Sequence, residues 1–301
     1  MSKDNPNMAL TVFLLAMISV GWGVAFLSLA ILLEKMAPMQ VLAARWTITS
    51  LLFLILIAMG KIKLKIRGRN AAFLFMAGLF EPCAYSILEA YGIKLTSAST
   101  SAIFVASIPA MTMILGVLFF RKKADFGLII CLLMSFGGVV LATFLSPDFS
   151  MSGTRAGMIC MTFGVFAASL YSLSSQKASE DFNAGSITAI MAFEGAVLFN
   201  IIAFAQGHGL DTFTLPFSSG LTAAHMLFLS LFCAFGSYFC YNKILNYVEA
   251  ALASNITGSL STIIGVTCGV VFMGDLWGWY TILGMGITLV GVWLTSRRMQ
   301  G

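Results

Sequence analysis

Arg45, Glu81, Glu89 and Glu194 fall inside apolar stretches of this chain. A charge at mid-helix among apolar residues is costly, so it faces a protein interior or a wet cavity and marks a solute or ion pathway. Glu81 is followed by Pro82, which has no N–H to give to the Gly78 carbonyl. A backbone acceptor and a carboxyl group are thereby placed side by side. A carboxyl group at that depth can exchange protons or attract a cation, so Glu81 and Glu194 are candidate coupling or recognition groups. Arg45 and Glu89 each lie about one turn inside their stretches, at matching depth for a ~1.5 Å rise per residue. They are expected to form an ion pair that clamps two neighbouring helices. Direct contact with a solute is the lesser reading for them.

Aromatic residues are the second candidate lining. Trp22 and Phe26 are four residues apart and share a helix face, Tyr171 and Tyr238 are expected to do the corresponding work in the second half by repeat logic, and Tyr85 is a further candidate. Such faces hold cations and flat groups. With 26 Phe, 7 Tyr and 5 Trp in the chain, most aromatics must instead contact lipid or core. Ser254, Gly258, Thr262, Gly265 and Gly269 recur every three or four residues, a small and polar face suited to close helix approach. Ser97, Ser101, Thr112 and Gly116 form a partial counterpart. Packing of these two faces is expected, with Ser101 and Asn255 reaching a cavity and Pro109 breaking its helix at a gate.

These residues must be positioned by membrane helices. The chain has 301 residues, 59% hydrophobic and only 10% charged, with mean hydropathy +0.95; a soluble domain carries about 25% charged residues. Apolar runs of ~20 residues recur throughout. The expected spans are 8–33, 39–59, 71–92, 97–120, 126–145, 156–177, 184–206, 221–245, 250–273 and 279–296, an all-α membrane protein of ten transmembrane helices. The first run is too long for a signal-peptide core of ~7–15 residues. The connections are short, so sequential helices are expected to be neighbours. The net charge of +5 is spread over short loops and does not indicate nucleic acid.

Basic residues orient the chain. With the N-terminus cytoplasmic, thirteen of the 17 Lys and Arg fall in inside segments, among them Lys61, Lys63, Lys65, Arg67 and Arg69. Only Lys35, Lys94 and Arg155 fall outside, so both termini are expected in the cytoplasm. Residues 116–141 align without gaps to 269–294, with seven of 26 positions identical. Each pattern closes a set of five helices, and five is odd. The halves 1–150 and 151–301 therefore read as inverted-topology repeats, a plan of secondary transporters that bind at the bilayer midplane.

The chain resembles the EamA-type family of the drug/metabolite transporter superfamily. The resemblance rests on Trp22-Gly23 with Phe26, Pro38 and Arg45, Leu88-Glu89-Ala90-Tyr91, Thr96-Ser97-Ala98-Ser99, Ser107-Ile108-Pro109, Gly137-Gly138-Val139 and Ala250-Ala251-Leu252-Ala253-Ser254. It covers almost the whole chain. It implies a transporter in the plasma membrane, often an exporter of amino acids, metabolites or cationic drugs. The chain departs from the family pattern at Arg121-Lys122, where an acidic residue is common, and at Thr262, where proline is common.

The resulting expectation is a secondary active transporter of a small metabolite, working outward by alternating access, without a cofactor. Protons are the candidate coupling ion, the bilayer is the surrounding partner, and the chain acts as a monomer or weak homodimer. Proton-coupled uptake is the competing reading. An intramembrane enzyme would need a nucleophile–base pair or metal ligands within the spans. His208 and His225 lie in a loop and at a helix start, without ligand partners at suitable spacing. The six cysteines show no CxxC pair and read as small packers. A channel would want rings of repeated polar groups, and no phosphate-binding glycine loop is found.

Overall fold

The computed structural model describes residues 8–120, 153–275 and 278–300, with scattered positions between 126 and 145. Among the described residues there are helices and turns and no strand. The helices are α1 (Met8–Leu33), α2 (Pro38–Ala58), α3 (Ala71–Gly78), α4 (Tyr85–Leu95), α5 (Ala98–Val105), α6 (Ile108–Phe120), α7 (Gly153–Ala178), α8 (Ala184–Ala205), α9 (Gly220–Leu227), α10 (Tyr238–Ile244), α11 (Ala250–Cys268) and α12 (Trp279–Gln300).

Eight helical segments are long and apolar enough to cross a membrane, and Trp279–Gly291 adds a shorter apolar stretch within α12. At ~1.5 Å per residue, a segment of about 25 residues exceeds the ~30 Å hydrocarbon core. The fifth expected span, 126–145, lies largely outside the described residues, and so does part of the 116–141 repeat.

Four of the described spans depart from regular α-helix, one of them only at its end, in the π-type stretch Gly269–Met273. The third consists of α3 and α4 joined by a wider, π-type turn, Leu79–Ala84. Within that turn Glu81 is extended, with φ −139° and ψ 114°. The seventh described span joins α9 to α10 through a π-type stretch, Phe228–Ser237, in the corresponding place of the second half. The fourth span breaks between α5 and α6, at Ala106 and Ser107. Pro109 cannot donate to the Val105 carbonyl, and it biases the residue before it away from helix. The break therefore precedes the proline instead of centring on it.

Sequential helices touch in the first half, as expected, but the larger contacts run between non-sequential ones. α1 packs chiefly along α11 and only marginally on α2; α2 packs along α8; α3 and α4 pack along α7. Short loops hold helix ends together, but the burial face is chosen by which surfaces admit close approach. Gly195 of α8 shows why. A Cβ there would lie 2.5 Å from Pro82 Cγ and 3.1 Å from Trp46 Cγ, so α8 reaches α2 and the broken turn only because residue 195 has no side chain. The expected contact between the two small faces is present. Thr262 Oγ1 donates to the Ala102 carbonyl at 3.0 Å, tying α11 to α5.

Both ends of the bundle carry polar ties. At the end with the basic 59–70 loop, the Asn70 N–H donates to Asp181 Oδ2 at 2.8 Å and Lys65 Nζ to the Asp181 carbonyl at 2.8 Å. The Lys65 N–H also donates to Ser186 Oγ at 2.9 Å. At the opposite end the Ser99 N–H donates to Asp275 Oδ2 at 2.9 Å. That carboxylate sits at the start of α5, where the helix dipole favours negative charge.

Candidate functional site

Between the halves lies a narrow cavity lined by side chains of both. Its charged part comes from α2 and the third span. The broken turn swings Glu81 out of helical register into the cavity wall, where it is 1% exposed. Glu81 Oε1 accepts from Tyr238 Oη at 2.7 Å and from Ser86 Oγ at 3.1 Å. Its Oε2 is buried without a hydrogen-bond partner. Glu89, two turns further along α4, accepts from Tyr85 Oη at 2.7 Å.

Arg45 lines the same cavity and is 2% exposed. Its guanidinium lies 5.3 Å from the Trp46 ring centroid, and one terminal nitrogen donates to Cys233 Sγ at 3.4 Å. The expected Arg45–Glu89 ion pair is absent: no nitrogen–oxygen contact within 4.0 Å joins them. The reason is local. The Tyr85 hydroxyl, one turn back on the same helix, engages Glu89, while the guanidinium is drawn to Trp46 and to Cys233 of the Phe228–Ser237 stretch. The two side chains share a cavity instead of neutralising each other in contact.

Aromatic and hydroxyl groups make up the other part. Trp22, Tyr238, Tyr171 and Tyr241 form a closed circuit of ring contacts, with centroid separations of 5.4, 5.9, 5.9 and 4.9 Å in that order. Tyr241 Oη donates to Ser172 Oγ at 3.0 Å and lies 2.7 Å from Ser254 Oγ. Tyr171 Oη and Ser175 Oγ both donate to Asn242 Oδ1, at 2.8 and 2.6 Å, and Asn242 Nδ2 donates to Thr188 Oγ1 at 2.9 Å. Asn242 is fully buried. It locks the tyrosine platform to α7 and α8.

Eight of the residues singled out from the sequence meet here: Trp22, Phe26, Arg45, Glu81, Tyr85, Glu89, Tyr171 and Tyr238. Four do not line the cavity. Ser101 is buried beside Thr96, 3.3 Å between hydroxyls. Asn255 is buried on α11, and Pro109 is buried behind the wall, near Gly258. Glu194 faces a separate groove with Phe193 and Val197. It follows Phe193 and precedes the inward-facing Gly195, and each helical step turns a side chain by ~100°.

Sequence reasoning missed Ser172, Tyr241, Asn242 and Thr257, and it treated Cys233 only as a packer. Tyr238 and Tyr241 are three apart, the spacing of one helix face, a signal that could have found the second tyrosine. Nothing in the sequence marks Cys233.

Two further lining residues keep a buried donor without a partner: Trp22 through Nε1 and Arg45 through Nε. With Glu81 Oε2 they give the cavity unmatched donors and an unmatched acceptor. Buried polar groups are normally paired, so such exceptions point to a function. The fold and the site define a multi-pass helical membrane protein with a largely apolar cavity between its halves that holds a few buried polar and ionisable groups.

The EamA-like transporter family model matches residues 9–144 and 155–297, and the chain belongs to that family. It is 25% identical over 274 residues to "Uncharacterized transporter YcxC" of Bacillus subtilis (strain 168), covering 90% of this chain and 87% of the relative. An "Uncharacterized transporter" of Archaeoglobus fulgidus is 20% identical over 94% of this chain and 98% of its own length. A crystal structure titled "Crystal structure of protein" superposes with a TM-score of 0.70 at 12% identity, over 98% of this chain and 100% of that one. That likeness concerns the fold alone. The protein is a transporter of the plasma membrane.

Proposed function

We propose that the protein is a secondary active exporter of a small solute bearing a protonated amine and a hydrogen-bond acceptor. The carrying observation is the pairing of Glu81 Oε2, an orphaned acceptor, with the orphaned donors of Trp22 and Arg45 on one cavity. The ammonium group binds Glu81 and the faces of the tyrosine platform, since cations sit over aromatic rings. The acceptor end of the solute takes the donors of Arg45 and Trp22. Amino acids and related amines fit this chemistry.

The halves 1–150 and 151–301 act as the two bodies of an alternating-access cycle. The Asp181 and Asp275 ties at opposite ends of the bundle are suited to act as its two gates, and one chain completes the plan. Proton exchange at Glu81 supplies the driving force. The outward direction is supported by the family resemblance.

The test is flux in proteoliposomes with an internal pH dye, using amino acids, quaternary amines and small metabolites, for wild type and Glu81→Gln at several pH values. Amine flux with matching proton movement, lost or uncoupled in Glu81→Gln, is the expected result. Unchanged flux in that variant, shown to be folded, removes Glu81 from the mechanism. Flux that runs only inward reverses the direction proposed.

A further inference from the structure

The Leu79–Ala84 turn has two sides. Glu81 lines the central cavity, while Leu79 and Cys83 line a groove on the outside of the bundle, closed on its other side by α8. The groove holds about 1170 Å³ of space between its walls and its open face. Phe75, Met76 and Leu79 form one wall and Phe193, Val197 and Ile201 the other. Leu79 is 56% exposed, and Val197 and Ile201 are 62% exposed, so in a bilayer this surface meets acyl chains.

Glu194 sits in this apolar groove, at residue 11 of the 22 in α8. Its Oε2 is buried against Gly78, where a Cβ would overlap it, and it has no hydrogen-bond partner. The rest of the carboxyl group lines the groove, and a carboxyl group in contact with hydrocarbon is expensive unless a partner reaches it.

We infer that this groove is a second binding site, separate from the central cavity, for an amphiphilic amine dissolved in the bilayer. The amine donates to Glu194, and the apolar tail covers the two walls. Donor chemistry and depth select this occupant. An anionic amphiphile would offer the carboxyl group no hydrogen-bond donor. A lipid headgroup amine lies at the interface, ~15 Å from a mid-span residue in a ~30 Å core. A water-soluble amine does not cross the acyl chains to reach the groove.

The experiment uses the full chain in phosphatidylcholine nanodiscs. Dicyclohexylcarbodiimide, a lipid-soluble carboxyl reagent, is added, and modification of Glu194 is followed by peptide mass spectrometry. N,N-Dimethyldodecylamine, a tertiary amine that donates a hydrogen bond when protonated but cannot form an amide with the activated carboxyl, is expected at about ten times its dissociation constant to slow modification about tenfold by mass action. Dodecanol, of equal chain length, is expected to change the rate by less than about twofold on the same basis. Protection that persists in Glu81→Gln separates this site from the cavity reading.

Equal protection by the alcohol would reduce the groove to an apolar surface and overturn the inference. So would loss of protection in Glu81→Gln, which would route the amine through the cavity. Absence of any labelling at Glu194 would show that the groove is closed to lipid-soluble molecules. Protection by phosphatidylethanolamine alone would assign the groove to a headgroup.

Discussion

Tyr238 donates its hydroxyl to Glu81 Oε1 at 2.7 Å across 157 residues of sequence. The bond joins the broken turn of one half to the first residue of α10, just past the π-type stretch of the other, at the wall of the central cavity. It leaves Glu81 one oxygen matched and one unmatched, so a single side chain is both anchored and available.

Tyr238→Phe removes the anchor and leaves Ser86 as the donor to Glu81. A hydrogen bond to a charged group contributes about 1.5–3 kcal/mol, so apparent solute affinity should fall by about tenfold or more. The check is the concentration dependence of flux in proteoliposomes. A change in maximal rate with unchanged half-saturation would show that the bond serves transport steps other than binding.

Asn242→Ala should destabilise the fold by about 2–4 kcal/mol, because it leaves Tyr171, Ser175 and Thr188 without their common partner in a buried place. Denaturant or thermal unfolding in detergent measures the loss. A change of under about 0.5 kcal/mol, the usual size for a surface site, would mean that the network repacks around the gap.

Gly195→Ala forces a methyl group toward Pro82 and Trp46. Overpacking of this kind costs about 1–3 kcal/mol. The expected outcome is a lowered unfolding midpoint together with reduced flux, since the displaced turn carries Glu81. Normal flux with a lowered midpoint would separate helix packing from the position of the carboxyl group.

Asp181→Ala removes the acceptor of the Asn70 N–H at the basic end. A net loss of about 1 kcal/mol shifts a local opening equilibrium about fivefold. Trypsin should then cut the loop with Lys61, Lys63, Lys65, Arg67 and Arg69 about fivefold faster, as followed by gel or mass spectrometry. Cutting at the wild-type rate would show that Lys65 and Ser186 hold the loop by themselves.

Composition and the regular recurrence of apolar runs were sufficient to read the class of protein and the place of nearly every described helix. Helix formation in lipid is a local matter, because each span must satisfy its own backbone. The small face from Ser254 to Gly269 predicted its contact with α5 for the same reason: it is a property of one helix.

Partner choice was not legible in that way. The matching depths of Arg45 and Glu89 suggested a pair, but depth says nothing about rotation about the helix axis. Glu194 shows this most clearly. It has the same residue type and depth as Glu81, yet a neighbouring glycine packs inward and turns it toward lipid.

The sequence alone therefore determined that this is a helical membrane transporter with carboxylates at mid-depth, since hydropathy and helix period are encoded residue by residue. Only the tertiary structure decided which carboxylate faces the cavity, that Arg45 and Glu89 stay apart, and that Tyr241, Asn242 and Cys233 complete the site. Those outcomes depend on which faces of distant helices approach closely. That is set jointly by side chains more than a hundred residues apart.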